Sequence, residues 1–197
     1  IDNYVQGAWR GFCAGYDGIE VHAAHGYLLT QFVSPHTSRR KDAYGGNFKG
    51  RMRVLSEIVR RIRKLCGENL IIGFKFNGYE NLPGGVDPSL ACDIARHMET
   101  VGVDYLHVAS LGAPMGMGEE PKYPAVPSLY TLAHNPLLEL AQQVKAEVSI
   151  PVIGAGGFNQ PIDAETALAS NAADLIAVGR AFLAEPDWGY FARHGRL

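Results

Sequence analysis

Residues 152–160 read VIGAGGFNQ, and residues 175–183 read LIAVGRAFL. Each stretch begins as a short apolar run and reaches glycine just before a helical pattern. Glycines there let backbone N–H groups approach a phosphate closely, although ordinary strand-to-helix turns also use them. The first stretch does not match the GxGxxG dinucleotide-binding motif, because Asn159 stands where the last glycine of the motif would be. The two stretches therefore favour the phosphate site that follows the last two strands of a (β/α)₈ barrel, with candidate ligands Gly156, Gly157, Gly179 and Arg180.

Three more apolar runs precede these two, and amphipathic helical patterns separate all five. Such runs are typical of strands buried on both faces. The helical patterns include Arg51–Leu65 and Ser89–Val101. Helix-start signals are Asp87–Pro88 and Asn135–Pro136. The predicted strands are Gly18–Val21, Leu70–Phe76, Tyr105–Val108, Pro151–Gly154 and Leu175–Val178.

Strict alternation of strand and helix predicts an α/β fold with a parallel sheet and right-handed crossovers. Two closures remain open, a doubly wound sheet and a (β/α)₈ barrel. Five units are too few to close a barrel of eight strands, which typically needs about 250 residues. The glycine- and proline-rich stretch Leu111–Pro127 follows the third strand and is predicted to be a long binding loop or lid.

Composition excludes several classes of protein. Apolar residues make up 47% and charged residues 19% of the 197, so the chain can build a core. A net charge of −2 without a basic block argues against nucleic acid and anionic membranes as partners. Three scattered cysteines, with no CxxC pair, signal no metal or iron–sulfur site and are typical of a reducing cytoplasm.

The first strand leads into a segment rich in chemistry, IEVHAAHGYLL at residues 19–29. In parallel α/β proteins ligands bind at the carboxyl ends of strands. Neutral imidazoles at His22 and His25 could donate two hydrogen bonds to one substrate oxygen, and the Tyr27 phenol could supply a proton. The alternatives are two loop histidines beside a packed aromatic residue, or a metal site, for which no carboxylate or cysteine stands at ligand spacing.

A longer stretch, HAAHGYLLTQFVSPHTSRRKDAYGGNFKGR at residues 22–51, resembles the signature of the Old Yellow Enzyme family. The ending GRAFLAEPD at residues 179–187 is similar to the end of the same barrel. Ser38 and Lys41 depart from the usual pattern away from the chemistry, and Glu185 departs from it conservatively. The resemblance covers residues 1–197 and implies one partial FMN-binding TIM-barrel domain, strands four to eight with strands one to three absent.

The resemblance also implies roles for individual residues. His22 and His25 would bind the electron-withdrawing oxygen of the substrate, and Tyr27 would deliver a proton. Lys75 lies inside the second strand, where a charge is costly unless it is paired or reaches solvent at the strand end. In the family a basic residue there faces the flavin N1/C2=O edge. The phosphate of FMN would lie on Gly156, Gly157, Gly179 and Arg180.

The implied activity is transfer of hydride from NAD(P)H through FMN to an activated C=C bond of a small molecule, in the cytoplasm. Other readings stay open. The chain could be a flavin-free phosphate-binding isomerase, or a half-barrel module that is inactive or depends on a partner. The missing strands make a homo-oligomer or a complementing N-terminal half possible partners. His107 is interpreted as a core or rim histidine.

Overall fold

A single parallel sheet organises the chain in a computed structural model that describes residues 1–111 and 136–195. The strands lie side by side in sequence order, and every neighbouring pair is parallel. This confirms the predicted α/β fold with sequential parallel strands. The strands are β1 Gly18–Ala23, β2 Ile71–Glu80, β3 Tyr105–Leu111, β4 Val152–Ala155 and β5 Leu175–Ala177.

Helices connect the strands and cover one face of the sheet. Three of them match the helical patterns and start signals described above: α3 Phe48–Cys66, α4 Pro88–Val101 and α5 Pro136–Lys145. Two further helices are α1 Asp2–Cys13 and α6 Pro161–Ala169. Three short helices have too few residues for a periodic pattern to be recognised. These are α2 Leu28–Val33, α7 Arg180–Ala184 and α8 Trp188–Arg193.

Several element boundaries differ from the predictions, among them the ends of β1 at Ala23 and of β3 at Leu111, and two of the differences have identifiable reasons. Helix α3 begins three residues before Arg51, because Asn47 caps it by accepting a hydrogen bond from the Gly50 N–H at 2.9 Å. Strand β2 continues past Phe76 to Glu80, through polar residues that an apolar run does not include. Its register shifts between Asn77 and Tyr79, which marks a bulge near the site described below.

The two faces of the sheet have different roles. Alternate residues such as Val21, Phe74 and Leu106 are buried against the helices, where Leu55, Ile58 and Met98 belong to the same hydrophobic core. The opposite face carries a row of residues in register, one from each strand. That row is His22, Lys75, His107, Ile153 and Leu175. Polar side chains therefore gather on the face that would line the inside of a barrel.

Aspartates stand directly before two of the strands and tie each one to its neighbour. Asp104 accepts the N–H of Ile72 at 2.6 Å and a hydrogen bond from Arg63 at 2.7 Å. Asp174 accepts the N–H of Val152 at 2.9 Å, and its other oxygen lies 2.9 Å from Lys145 Nζ. Each carboxylate thus satisfies a backbone donor at the amino end of the neighbouring strand.

Within residues 1–111 and 136–195, no helix is long and apolar enough to cross a membrane. The same residues contain no group of three or more His, Cys, Asp or Glu placed to hold a metal ion. The predicted loop Leu111–Pro127, apart from its first residue, and Asn135 of the helix-start signal lie outside the described residues.

Candidate functional site

The turn after β1 has an uncommon backbone conformation. His25 has φ 60° and Gly26 φ 76°, so two consecutive residues are left-handed. A non-glycine residue rarely adopts this conformation without support. Here the His25 N–H donates to Asn77 Oδ1 on β2 at 3.0 Å. The turn leads the chain into α2 and places Tyr27 at the N-cap of that helix.

Three aromatic rings meet at this turn. The ring centroids of His22 and His25 lie 5.3 Å apart, and those of His22 and Tyr27 lie 5.5 Å apart. All three residues are exposed, Tyr27 by 63%. The structure thus brings the sequence-predicted residues together at the carboxyl end of β1, open to an incoming ligand.

Charged groups lie beside these rings on the same face of the sheet. Lys75 is half-buried on β2, and its backbone is in register with His22 on one side and His107 on the other. Although both residues keep exposed surface, partial desolvation of their rings by the surrounding protein lowers the pKa of His22 and of His25. The positive charge of Lys75 lowers both further, and the pKa of His25 falls to about 4. Both imidazoles are therefore neutral at pH 7, the state in which each can donate one hydrogen bond and accept another.

A partly buried polar network lies on the same face of the sheet as the rings. His107 is 9% exposed, and its Nδ1 lies 3.0 Å from Glu20 Oε2. Burial opposes ionisation of Glu20, but the hydrogen bond and charge of His107 lower its pKa, helped by Tyr105. Burial and the adjacent Glu20 raise the pKa of Tyr105 to about 12. His107 is thus buried on the barrel-facing side of the sheet, in the row that contains His22 and Lys75, and its Nδ1 is paired with a carboxylate.

The loops after β4 and β5 form a second site. Together with the end of β5 and the start of α7, they line a cavity of about 160 Å³: Gly156, Gly157, Phe158, Asn159, Ala177, Val178, Gly179 and Arg180. Gly156 and Gly157 have φ 96° and 77°, a conformation that would strain any side chain. Trp188 donates from Nε1 to Asn159 O at 3.2 Å and so fixes one side of the loop. The four candidate phosphate ligands therefore line one small cavity.

Comparison with known proteins identifies the family. Residues 1–197 match the NADH:flavin oxidoreductase / NADH oxidase family along the whole chain.

The chain belongs to this family.

The flavin oxidoreductase relatives are longer proteins. An NADH oxidase of Thermoanaerobacter brockii is 41% identical over 196 residues, which are 100% of this chain and 29% of the relative. An NADPH dehydrogenase of Halalkalibacterium halodurans is 34% identical over 191 residues, which are 95% of this chain and 52% of the relative. The chain thus spans about a third to a half of the length of these two relatives.

Solved structures of similar proteins support the same assignment. Morphinone reductase aligns with 100% of this chain and 48% of its own, with TM-score 0.76 and 30% identity. A 2-naphthoyl-CoA reductase aligns with 99% of this chain and 29% of its own, with TM-score 0.83 and 27% identity. The resemblance to the Old Yellow Enzyme family and the partial TIM-barrel fold are therefore confirmed.

Sequence reasoning missed four polar residues that support the site. Glu20 and Tyr105 lie in predicted strands. A carboxylate between Ile19 and Val21 is unusual in an apolar strand and indicates a polar partner on that face of the sheet. Asn77 and Glu80 lie beyond the predicted end of β2 and carried no such signal. Their role became visible only through their contacts.

Proposed function

We propose that the intact protein is an FMN-dependent oxidoreductase that passes hydride from NAD(P)H to an activated C=C bond, such as that of an enone. The observation that carries this proposal is the cluster of His22, His25 and Tyr27 beside Lys75. Two neutral imidazoles and one phenol at the end of β1, with a cation on the neighbouring strand β2, match what reduction of a polarised alkene requires.

The described residues fit a bound FMN. The cavity of about 160 Å³ can accept a phosphate group, and the left-handed Gly156 and Gly157 leave the backbone without side chains on that side. Gly179 and Arg180 would complete the phosphate site, with the arginine adding charge-assisted hydrogen bonds. Lys75 would supply the positive charge that a flavin needs to hold added electrons.

FMN, when bound, would accept hydride from NAD(P)H and supply it to the substrate. His22 and His25 would donate hydrogen bonds to the carbonyl or nitro oxygen of the substrate and draw electron density from its double bond. Tyr27 would donate its phenolic proton to the carbon next to the polarising group. Water and the natural substrate would both reach this cluster, since all three side chains are exposed.

The test is a visible absorption spectrum of the intact protein after reconstitution with FMN, followed by NADH or NADPH oxidation with 2-cyclohexenone. We expect bound flavin and turnover that depends on the enone. A matched sample of Arg180→Ala should bind FMN at least about 10-fold more weakly, because a charge-assisted hydrogen bond is worth about 1.5–3 kcal/mol.

Two other functions would give different results. A phosphate-binding isomerase, which the cavity after β4 and β5 also permits, would bind inorganic phosphate but show no flavin spectrum. An inactive or partner-dependent module would remain colourless until a complementing segment is added. Bound flavin without enone turnover would indicate that the protein reduces a different class of electron acceptor.

A further inference from the structure

The carboxylate of Glu80 is buried at the end of β2, with 2% of the residue exposed. It accepts three hydrogen bonds from different segments of the chain. Ser34 Oγ donates at 2.5 Å and the Val86 N–H at 3.1 Å, both to Oε2, and Asn77 Nδ2 donates at 3.0 Å to Oε1. An ionised carboxylate is an acceptor only, so this set of donors suits it.

The hydrogen bond to Asn77 fixes which way that side-chain amide points. Asn77 is also 2% exposed. Because Glu80 needs a donor, the NH₂ group of Asn77 faces the carboxylate and Oδ1 faces the opposite way. That oxygen accepts the N–H of His25 at 3.0 Å. Glu80, Asn77 and the left-handed His25 thus form a directional chain of hydrogen bonds.

The same carboxylate joins the loops around the turn. Ser34 is the C-cap of α2, the helix that begins after Tyr27. Val86 lies before α4, and the Glu80 N–H donates to Val86 O at 2.7 Å. Nearby, His36 Nδ1 lies 2.9 Å from Pro83 O, so the two loops touch at a second point. Glu80 therefore links β2, the end of α2 and the β2–α4 loop.

We propose that Glu80 is a positioning residue for the site: it orients the Asn77 amide, which holds His25 in the left-handed turn beside His22. The consequence for substrate binding rests on the proposed function, but the effect on the turn does not. Glu80 acts through Asn77 and lies too deep to touch a substrate.

Glu80→Gln tests this relay with little change of volume. If the introduced amide keeps its oxygen toward Ser34 and Val86, its NH₂ group faces Asn77. Asn77 must then turn its oxygen to that NH₂ group and its own NH₂ group to the His25 N–H, which places donor against donor. We expect hydrogen exchange of the His25 amide, read by mass spectrometry in the intact protein, to accelerate about 3- to 10-fold, as loss of one net hydrogen bond predicts.

Asn77→Asp combined with Glu80→Gln should restore the turn. The carboxylate introduced at position 77 accepts from both the glutamine NH₂ group at position 80 and the His25 N–H, so exchange should return to within about 2-fold of the wild-type rate. Asn77→Asp alone places two carboxylates side by side and should accelerate exchange. Glu57→Gln is the matched control, since Glu57 also accepts a side-chain hydroxyl, from Tyr44 at 3.0 Å, but lies in α3 and takes no part in the relay.

Binding of 4-hydroxybenzaldehyde to the flavin-loaded protein, followed by absorbance, is the second readout. We expect Glu80→Gln to weaken it about 3- to 10-fold and the double variant to recover it. Unchanged His25 exchange in Glu80→Gln, or no recovery in the double variant, would overturn the proposal. If the wild type binds neither flavin nor the phenol, the proposed function fails, while His25 exchange still decides the role of Glu80.

Discussion

At the scale of single residues, the site depends on a few hydrogen-bonding groups held in fixed states. His22 and His25 are kept neutral by partial desolvation of their rings and by the charge of Lys75. Tyr27 completes the cluster with its ring 5.5 Å from that of His22, while remaining 63% exposed. These side chains differ in role under the proposed mechanism, so their substitutions should have separable effects.

Tyr27→Phe should slow the half-reaction that oxidises the flavin by about 10²–10⁴-fold, the range of a general acid. Reduction of the flavin by NAD(P)H should stay nearly unchanged, because no proton from Tyr27 is needed there. Stopped-flow absorbance of each half-reaction measures the two rates. His22→Ala and His25→Ala serve for comparison and should weaken binding of phenols. If both half-reactions of Tyr27→Phe are as fast as in the wild type, another group or water is the donor.

The charge of Lys75 leads to a prediction about pH. The ordinary histidine pKa is 6.5, and that of folded His25 is about 4. Between these values the unfolded chain binds more protons at His25 than the folded one does, so the folded state loses stability as pH falls through this window. Lys75→Met removes one cause of the shift and should raise the pKa of both His22 and His25. The pH range over which protonation of His25 destabilises the folded state should then become narrower.

Nuclear magnetic resonance titration of the histidine ring protons in the intact protein measures these pKa values. Lys49→Met is the control, because Lys49 lies in α3 in the helical layer and is not among the groups that shift either histidine. Its titration curves for His22 and His25 should overlay those of the wild type. A downward or absent shift in Lys75→Met would contradict the electrostatic explanation.

At the scale of secondary-structure elements, local signals placed the helices and strands, and specific side chains adjusted their ends. The cap at Asn47 starts α3 a turn early. The aspartates before β3 and β5 each hold the first residues of the neighbouring strand. These contacts explain how successive β–α units keep their register along the sheet.

Asp104→Ala should lower the free energy of unfolding by about 1–3 kcal/mol, the cost of leaving a buried donor unsatisfied. The donor is the N–H of Ile72, a residue with 0% exposure. Arg63 also loses one of its two ion-pair partners and keeps Glu68. Denaturant unfolding of the intact protein measures the change. Asp93→Ala, which removes a half-exposed ion pair with Arg96 on α4, should stay within about 0.5 kcal/mol. Equal effects of the two substitutions would contradict the role of Asp104.

At the scale of the whole molecule, the described sheet has two outer strands, β1 and β5, each paired along one edge. Apolar side chains are exposed near them, including Leu175 by 52% and Ile71 by 46%. An unpaired edge with apolar neighbours favours association with further strands. We propose that strands from outside residues 1–197, in the same polypeptide or in a complementing one, close the barrel.

Residues 1–197 produced alone should therefore associate or aggregate and bind FMN poorly. Addition of a complementing N-terminal half should give a discrete species that contains flavin. Light scattering coupled to size-exclusion chromatography, with absorbance of bound flavin, measures both properties. A stable monomer of residues 1–197 with one FMN per chain would contradict this prediction, and a flavin-containing homodimer would show that a second copy closes the sheet.

The sequence by itself determined the α/β fold class and the family, and the resemblance to that family supplied the sequential strand order that periodicity had left open. Each of these depends on local patterns: apolar runs, helical periodicity, and motifs such as HAAHGYLL at residues 22–29. The prediction also named the residues of the aromatic cluster and the phosphate cavity, because both follow directly after strands. Their catalytic and binding roles stay predictions.

Only the tertiary structure decided which polar groups support these residues. His25 and Asn77 are 52 positions apart in the sequence. The separation is 46 positions for Ser34 and Glu80, and 87 positions for Glu20 and His107. Parallel strands join through crossovers of a dozen or more residues, so partners in one row of the sheet are distant in sequence. Which atoms meet depends on strand register and on where β2 ends, and those are fixed by packing and by the hydrogen bonds themselves. For that reason no local pattern of the chain predicted the hydrogen bonds that link Glu80, Asn77 and His25.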